Sequence, residues 1–469
     1  MESSFPFEAP LSLSEADRRS VQRLAQRCVD ETLLDYEHVL VSKSGLPSTT
    51  RWKPVKRKSN VVVFQDRLAI EEIGHRKRKA KSLGDIIDSI RVGGLLSSSA
   101  APRIFHSVAN GETETSEHVE MPKMIWMGTV ECELDDLMYG LVSQSEEVTR
   151  INASYSGNNV QEFATLASLE TSTPSDPFNG LQLKWQVDSA LTKAKPVWRC
   201  RDFVYLEATG FTTSSATGQR IGYQILHSLN LRSAPELPER KLVRGKMTVY
   251  QLFRQKSKGT VEVFAKAMVD LAGDLPSRMA PFATIQAANF VHKAARCARK
   301  RKLNWLLTTA GIRSVSAASD RKESCCGVCT RELRNAFGQK SFYECHICTK
   351  LVCYRCHVRQ KLCFIKPAKA SLAVKQKSLD LCTRCVHTAT QTNAQRVALE
   401  ERALMDPASM YTYVDRHTRS LAEASLEELD DSLTFDDLVT TRGAVHGWQC
   451  DAQGAILLDQ TTQELHSLS

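Results

Sequence analysis

Cys326-Gly-Val-Cys329, Cys345-His-Ile-Cys348, Cys353-Tyr-Arg-Cys356 and Cys382-Thr-Arg-Cys385 are four Cys-x-x-Cys pairs within sixty residues. A two-residue spacer lets one tight turn present two thiolates to the same ion, and Zn²⁺ takes four in a tetrahedron. Eight thiolates therefore make two closed sites with no position left for a reactive water. The second and third pairs stand too close together to complete one tetrahedron, so the spacing predicts an interleaved arrangement. Cys326 and Cys329 would join Cys353 and Cys356, and Cys345 and Cys348 would join Cys382 and Cys385. Such a module has little core of its own, and two Zn²⁺ would supply ~10–16 kcal/mol of folding free energy per site.

A disulfide framework is the competing reading. The residues Met1–Pro10 carry Glu2 and Glu8 and lack an apolar run, so no secretory leader is expected. In a reducing compartment, Cys pairs bind metal more often than they oxidise. Cys325 is an alternative to Cys326 with a longer spacer. Cys363, His346, His357 and His387 are spare donors, read as surface or packing residues.

The run Phe337-Gly338, Cys345-His-Ile-Cys348 and Lys350-Leu-Val-Cys353-Tyr-Arg-Cys356 resembles the centre of a FYVE-type zinc finger. That family binds phosphatidylinositol 3-phosphate on endosomal membranes through a basic strand, an upstream W-x-x-D and an R-V-C at the seventh ligand. Here the strand reads Ser341-Phe-Tyr-Glu-Cys-His346, Asp380-Leu381 precedes the seventh ligand, and no Trp stands just before Cys326. A phosphomonoester needs charge-assisted donors, whereas Glu344 and Asp380 bring negative charge. The resemblance therefore implies the fold, with Lys340, His346 and Lys350 as weak contacts to an anionic lipid head group or surface.

The 469 residues allow two or three domains; 42% are hydrophobic and 25% charged, as in ordinary globular chains. No apolar run approaches the ~20 residues that span a bilayer, so membrane contact is expected to be peripheral. The net charge of +9 is unevenly placed: basic runs at Arg51–Lys58, His75–Lys81 and Lys293–Lys302, acidic residues at Glu423–Asp437. The basic runs lack interleaved aromatics, and no nucleic-acid partner is expected.

Upstream of the cysteines, Ser14 to about Leu40 reads as a helix with Ser14 and Asp17 at its N-cap. Strands are expected on either side of a Ser59-Asn60 turn and at Lys123–Val130, with a helix over Asp135–Ser143. Further strands follow at Val160–Leu166, Leu181–Val187, Asp202–Thr209, Gly222–Leu229, Lys246–Arg254 and Thr260–Val269. Residues 69–120 look like an insertion. A long helix is expected from Pro276 to about Leu307, then a linker from Thr308 to Ser324. Beyond Cys385 a helix is expected from Val386 to about Met405. The acidic segment Ser425–Leu433 lies in a largely disordered tail, where a protein partner is a further possibility.

Trp198-Arg-Cys-Arg-Asp-Phe-Val-Tyr-Leu206, Lys246-Met-Thr-Val-Tyr-Gln-Leu252 with Thr260–Leu271, and Gly273-Asp-Leu-Pro276 resemble the START lipid-transfer domain. The resemblance implies an α+β helix-grip fold, a curved antiparallel sheet around a long C-terminal helix, followed by a small cross-brace zinc finger. Its implied boundaries are a START-like domain at 14–310, a linker at 311–324, the finger at 325–392 and the tail at 393–469. An apolar cavity would be walled by Leu181–Val187, Phe203–Leu206, Ile221–Leu229, Met247–Leu252, Met279, Phe282, Ile285 and Phe290. Burying a lipid there contributes roughly 0.8 kcal/mol per CH₂. Arg199, Arg201 and Asp202 are either a head-group grip or exposed strand charges.

No catalytic motif stands in the chain: no G-x-S-x-G, Walker A loop, H-E-x-x-H or G-x-G-x-x-G. A ubiquitin-ligase cross-brace would carry a His ligand in mid-set, where all eight positions here are Cys. The expected function is a non-enzymatic, cytoplasmic lipid-binding adaptor, peripheral on endosomal membranes. A zinc-stapled protein–protein scaffold is the alternative.

Overall fold

A computed structural model describes residues 6–7, 10–41, 47–67, 123–157, 160–189, 198–273, 275, 284–285, 290–313, 324–333, 342–366 and 373–403. The expected insertion, Phe337-Gly338, Lys340, the Pro276 turn with Met279 and Phe282, and the acidic tail lie outside them. The fold class is α+β, with one large antiparallel sheet, helices and a small cysteine-rich module. Two compact units divide the chain: residues 1–301 with 393–398, and residues 302–392 with 399–469.

The first unit begins with α1, Glu15–Val41. Ser14 caps it by accepting from the Asp17 amide at 3.1 Å while donating to the Asp17 carboxylate at 2.6 Å. Ten strands follow: β1 Trp52–Lys58, β2 Val61–Asp66, β3 Met124–Glu131, β4 Val160–Glu170, β5 Gly180–Asp188, β6 Arg201–Thr213, β7 Arg220–Ser228, β8 Val243–Arg244, β9 Lys246–Ser257 and β10 Thr260–Asp270. Nine are ordered β1-β2-β3-β10-β9-β7-β6-β5-β4, with the short β8 alongside β6. Ser59 at the β1–β2 turn and Gly259 at the β9–β10 turn both take positive φ, as tight reversals require.

Strand alternation gives the sheet two distinct faces. On one, Val21, Leu24, Ala25, Cys28 and Val29 of α1 pack against Leu183, Trp185, Val204, Leu206, Ile225 and Tyr250. Tyr36 extends this contact to Met127, Ile221, Leu252 and Phe264. On the other face lies α2, Leu134–Leu141. Gly222 of β7 sits so close beneath it that a Cβ there would stand 2.7 Å from the Met138 sulfur. The next helix, α3 Glu146–Ser156, is absent from the sequence reading. Its signals are the Ser145 cap, Glu146 and Glu147 in the first turn, and Gly157 in the left-handed region after its end.

The long helix α4, Phe290–Arg313, runs on through Thr308–Arg313, where a linker is expected from sequence. Those residues stay helical because Leu306, Leu307 and Ala310 join the second unit's apolar cluster, while Thr309 Oγ1 donates to the Trp305 carbonyl at 3.0 Å. In the first unit α4 meets α2 backbone to backbone: a Cβ on Gly140 would stand 2.0 Å from the Ala294 carbonyl oxygen. Arg301 donates to the Tyr139 and Val142 carbonyls at 2.7 and 3.2 Å, closing the end of α2.

Near the end of α1, Glu37 is 8% exposed and accepts from Ser214 Oγ, Ser215 Oγ and the Ala216 amide at 2.6, 2.7 and 3.2 Å. The Ser214 hydroxyl, with help from Ser215 and Ala216, holds this carboxyl below its usual range. A depressed pKa means stability that is present above the unfolded value and is lost as pH falls through the folded one. Glu37→Gln should therefore lower the urea midpoint most at neutral pH, with the gap to wild type closing below about pH 4. A gap of constant size across that range would contradict this role.

Candidate functional site

In the first unit, the sheet face opposite α1 carries a buried polar line. Lys184 of β5 ion-pairs with Glu207 of β6 and also donates to the Ser143 carbonyl at 2.7 Å. Gln224 of β7 donates to Glu207 Oε1 at 2.7 Å, and Gln251 of β9 donates to Gln224 Oε1 at 3.1 Å. Lys184, Gln224 and Gln251 are each no more than 2% exposed. Phe203, Tyr205, Met247 and Val269 form an apolar cluster on the same face.

Arg201 and Asp202, adjacent on β6, point to opposite faces and neither is exposed. Arg201 donates to the carbonyls of Arg199, Leu271 and Ala272 at 2.7, 2.8 and 3.0 Å, which pins the end of β10. Asp202 pairs with Arg244 and accepts from Trp185 Nε1 at 3.0 Å. The exposed-charge reading is thus corrected for Arg201 and Asp202, which are buried and occupied in joining strands, while Arg199 is exposed.

The second unit holds β11 Phe342–Glu344, β12 Leu351–Cys353, β13 His357–Lys366, β14 Ala373–Cys382, α5 Thr383–Gln391 and the chain of α6, Ala394–Ala403, from Leu399 onward. Its thiols gather in two groups, Cys326, Cys329, Cys353 and Cys356, and Cys345, Cys348, Cys382 and Cys385. In each group all four sulfurs lie within 4.8 Å of one another. The spacing of pairs along the chain thus becomes an interleaved pairing in space.

The two groups are built alike. Thr330 and Thr349, each just after a pair, have φ of 57° and 59°. Their amides donate to Cys326 O and Cys345 O at 2.9 and 2.8 Å. The Cys353 amide donates to Cys326 Sγ at 3.4 Å, and the Cys382 amide donates to Cys345 Sγ at 3.2 Å. Cys382 also caps α5, its sulfur accepting from the Cys385 amide at 3.3 Å.

The donor sets fit a tetrahedral cation. Four sulfurs at ~2.3 Å from a central ion stand about 3.8 Å apart along each edge. Cys329 Sγ and Cys353 Sγ are separated by 3.7 Å, and Cys348 Sγ and Cys382 Sγ by 3.8 Å. A disulfide needs ~2.05 Å, and all eight thiols are free. Burial pushes the Cys326 thiol up, but the amides of Cys329, Cys353 and Val328 outweigh it and hold it at about 6. The thiols of Cys348, Cys382 and Cys385 hold Cys345 far below its ordinary value, while Cys385 is pushed far up by its three neighbours. Four thiolates this close need a cation to ionise together.

No known family model matches the chain, and no curated protein does. Among solved structures it is similar to human StAR-related lipid transfer protein 5, at 13% identity and a TM-score of 0.35, over 60% of this chain and 98% of that one. Human STARD10 shares 13% identity over 61% of this chain and 80% of its own, with a TM-score of 0.31. The lipid transfer and protein localization domain of human StarD13 shares 11% over 61% and 98%, with a TM-score of 0.30.

The remaining sequence candidates belong to neither tetrad. Cys325 is exposed beside the buried Cys326, and Cys363 is buried on β13. His387 is exposed. His346 Nδ1 lies 3.0 Å from the Asp380 carbonyl oxygen, and the Lys350 stem packs against Gly327. Asp380 accepts from Arg359 at 2.8 Å and meets His357 Nε2 at 2.7 Å, and Arg359 with His357 holds its carboxyl below the usual range. Tyr343 stacks on His357 at 3.7 Å. Arg359 and His357 are therefore engaged by the chain's own carboxylate. Sequence reasoning missed the β13–β14 hairpin, although Val358, Leu362 and Phe364 alternate at strand period. The single helix expected from Val386 is two: Thr392 is extended, and Asn393 Oδ1 accepts from the Arg396 amide at 3.1 Å to start the second.

Proposed function

We propose that the chain is a non-enzymatic lipid-binding adaptor: a START-like unit that encloses one lipid, followed by a FYVE-like module stapled by two Zn²⁺. The observation that carries the lipid half is the Lys184–Glu207–Gln224–Gln251 line, a charged and amide-rich string sealed among apolar side chains. Buried polarity of this kind costs stability unless it is satisfied, and a pocket for an amphiphile combines apolar walls with a few convergent polar groups. The metal half rests on two interleaved tetrads at the edge length that Zn²⁺ demands. Cys326, Cys329, Cys353 and Cys356 would hold one ion, and Cys345, Cys348, Cys382 and Cys385 the other. Closed four-thiolate sites have no open position for substrate, so the ions would organise the module rather than catalyse.

Contact with membranes would be peripheral. Among the described residues no helix is long and apolar enough to cross a bilayer. Lys340, His346 and Lys350 would meet an anionic surface weakly. A phosphoinositide-specific pocket is no part of the proposal, because Arg359 and His357 are held by Asp380.

Native mass spectrometry of the full chain tests both halves in one spectrum. The expected mass is the polypeptide plus two zinc ions plus one lipid. A zinc-loaded chain that carries no lipid, and takes none from vesicles, would leave the protein–protein scaffold as the better reading.

A further inference from the structure

β1 ends the order of strands in the sheet, and every residue from Lys53 to Lys58 is exposed. Strict alternation would divide its lysines between the two faces. A register shift between Pro54 and Lys56 breaks that alternation. Lys53 therefore stands opposite Gln65, Lys56 opposite Val63 and Lys58 opposite Val61. Residues directly opposite share a face, so the three lysines line one side of the strand.

α4 adds a fourth cation. Burial, and then the Lys58 charge, push the His292 imidazole and the Lys293 ammonium below their ordinary values, so the start of α4 lies beside the end of β1. Asp66, the one acid of β1 and β2, is taken by Arg51 at 3.1 Å. Among the described residues no carboxylate pairs with Lys53, Lys56, Lys58 or Lys293. Like charges gathered this way repel one another until an anion stands against them.

The chain carries such an anion. Residues 423–437 hold seven carboxylates and no Lys or Arg, and they lie outside the described residues. Their tether is anchored on the first unit, where Gln395 Nε2 of α6 donates to Asp135 Oδ2 of α2 at 2.9 Å. α2 follows β3, whose Gly128 is opposite Val61, which is in turn opposite Lys58. Nineteen residues separate Ala403 from Glu423. A chain of that length spans roughly 25 Å as a coil and ~65 Å when extended. Tethering at this range gives an effective concentration on the order of 1 mM.

We propose that the acidic segment 423–437 docks on the lysine row of β1 and α4 within one chain. The proposal is independent of the lipid-binding reading. A phosphatidylserine surface would suit the same charges, but it has to be met by diffusion, whereas the segment is always at hand. An anionic surface would therefore have to displace the segment before it could reach these lysines.

The test is carbodiimide cross-linking and lysine acetylation of the full chain, both mapped by mass spectrometry. At about 0.01 M salt, where charges act over ~30 Å, carboxylates of 423–437 should link to Lys53, Lys56, Lys58 and Lys293 at a yield unchanged by dilution. At 1 M salt, where that range is ~3 Å, the yield should fall roughly tenfold. Glu427→Lys, Glu428→Lys, Asp430→Lys and Asp431→Lys together alter no described residue. That variant should raise acetylation of the four lysines about three- to tenfold as the tethered anion is lost. Lys56→Glu with Lys58→Glu should lose the links, and combining it with the tail variant should restore association of the two stretches. If the strand variant does not fold, the tail variant decides alone. Links that join isotopically labelled to unlabelled copies, links scattered over other lysines, or equal acetylation with and without the tail variant would each overturn the proposal. So would protection that arises only when phosphatidylserine vesicles are added, which would give the row to a membrane.

Discussion

Stripping zinc from the full chain with a strong chelator at neutral pH is expected to unfold the second unit. Its apolar cluster has Cys326, Cys345, Cys353, Cys356, Cys382 and Cys385 as members, among Ile347, Val352, Leu362, Phe364, Leu379 and Leu381. With the ions gone, those thiols become weak packing partners whose charges must be given up. Two bound ions, at ~10–16 kcal/mol per site, would together exceed the 5–15 kcal/mol that a whole domain ordinarily has. Amide protection along β13 and β14 should vanish on chelation, while β9 and β10, whose ladder involves no thiol ligand, keep theirs. Elemental analysis should give two zincs per chain before treatment. Cys345→Ser should cost at least one of them, because Cys345 is fully buried and accepts the Cys382 amide. Cys325→Ser and Cys363→Ala should cost none, since neither sulfur belongs to a tetrad. Acid should release the metal as well, protons competing for thiolates whose ordinary pKa is about 8.5. Protection of β13 and β14 that survives complete zinc removal would show an ordinary apolar core holding the module.

The interleaved thiol pairing was legible in the sequence because the second and third pairs, Cys345/Cys348 and Cys353/Cys356, stand too close together along the chain to complete one tetrahedron. The strands of the first unit were legible for a similar reason, since period-two alternation is a local property. What escaped is what depends on both faces of an element at once. In Gln182-Leu-Lys-Trp-Gln186 the alternation reads as an apolar face and a solvated one, yet Lys184 is 1% exposed. The partner that makes this tolerable, Glu207, is 23 positions away on the next strand. Arg201 and Asp202 misled for the same reason: adjacent strand charges suggest solvent, and only the positions of Leu271, Ala272 and Arg244 show that each is consumed indoors. The break between α5 and α6 turned on one asparagine side chain capping a helix, a short-range signal that apolar spacing alone ran across.

That buried pair yields the largest effect expected in the first unit. Lys184→Met removes the cation and leaves Glu207 in the interior with Gln224 as its remaining donor. Breaking a buried ion pair from one side typically costs 3–5 kcal/mol, because the surviving charge has lost both water and partner. For a unit of this size that corresponds to a fall in melting temperature of about 6–20 °C. The Ser143 carbonyl, which accepts from Lys184 at 2.7 Å, is orphaned by the same change and pushes the result toward the upper end. Replacing both members, Lys184→Met with Glu207→Leu, removes the stranded charge and should recover most of the loss. Recovery should stop short of wild type, since the Gln224 amide then has no acceptor and an unmet buried donor costs roughly 1–3 kcal/mol. A single substitution costing less than about 1 kcal/mol is what a solvated surface pair would give. That outcome would mean that water reaches Lys184, and the enclosed face on which the lipid-binding proposal depends would then be open.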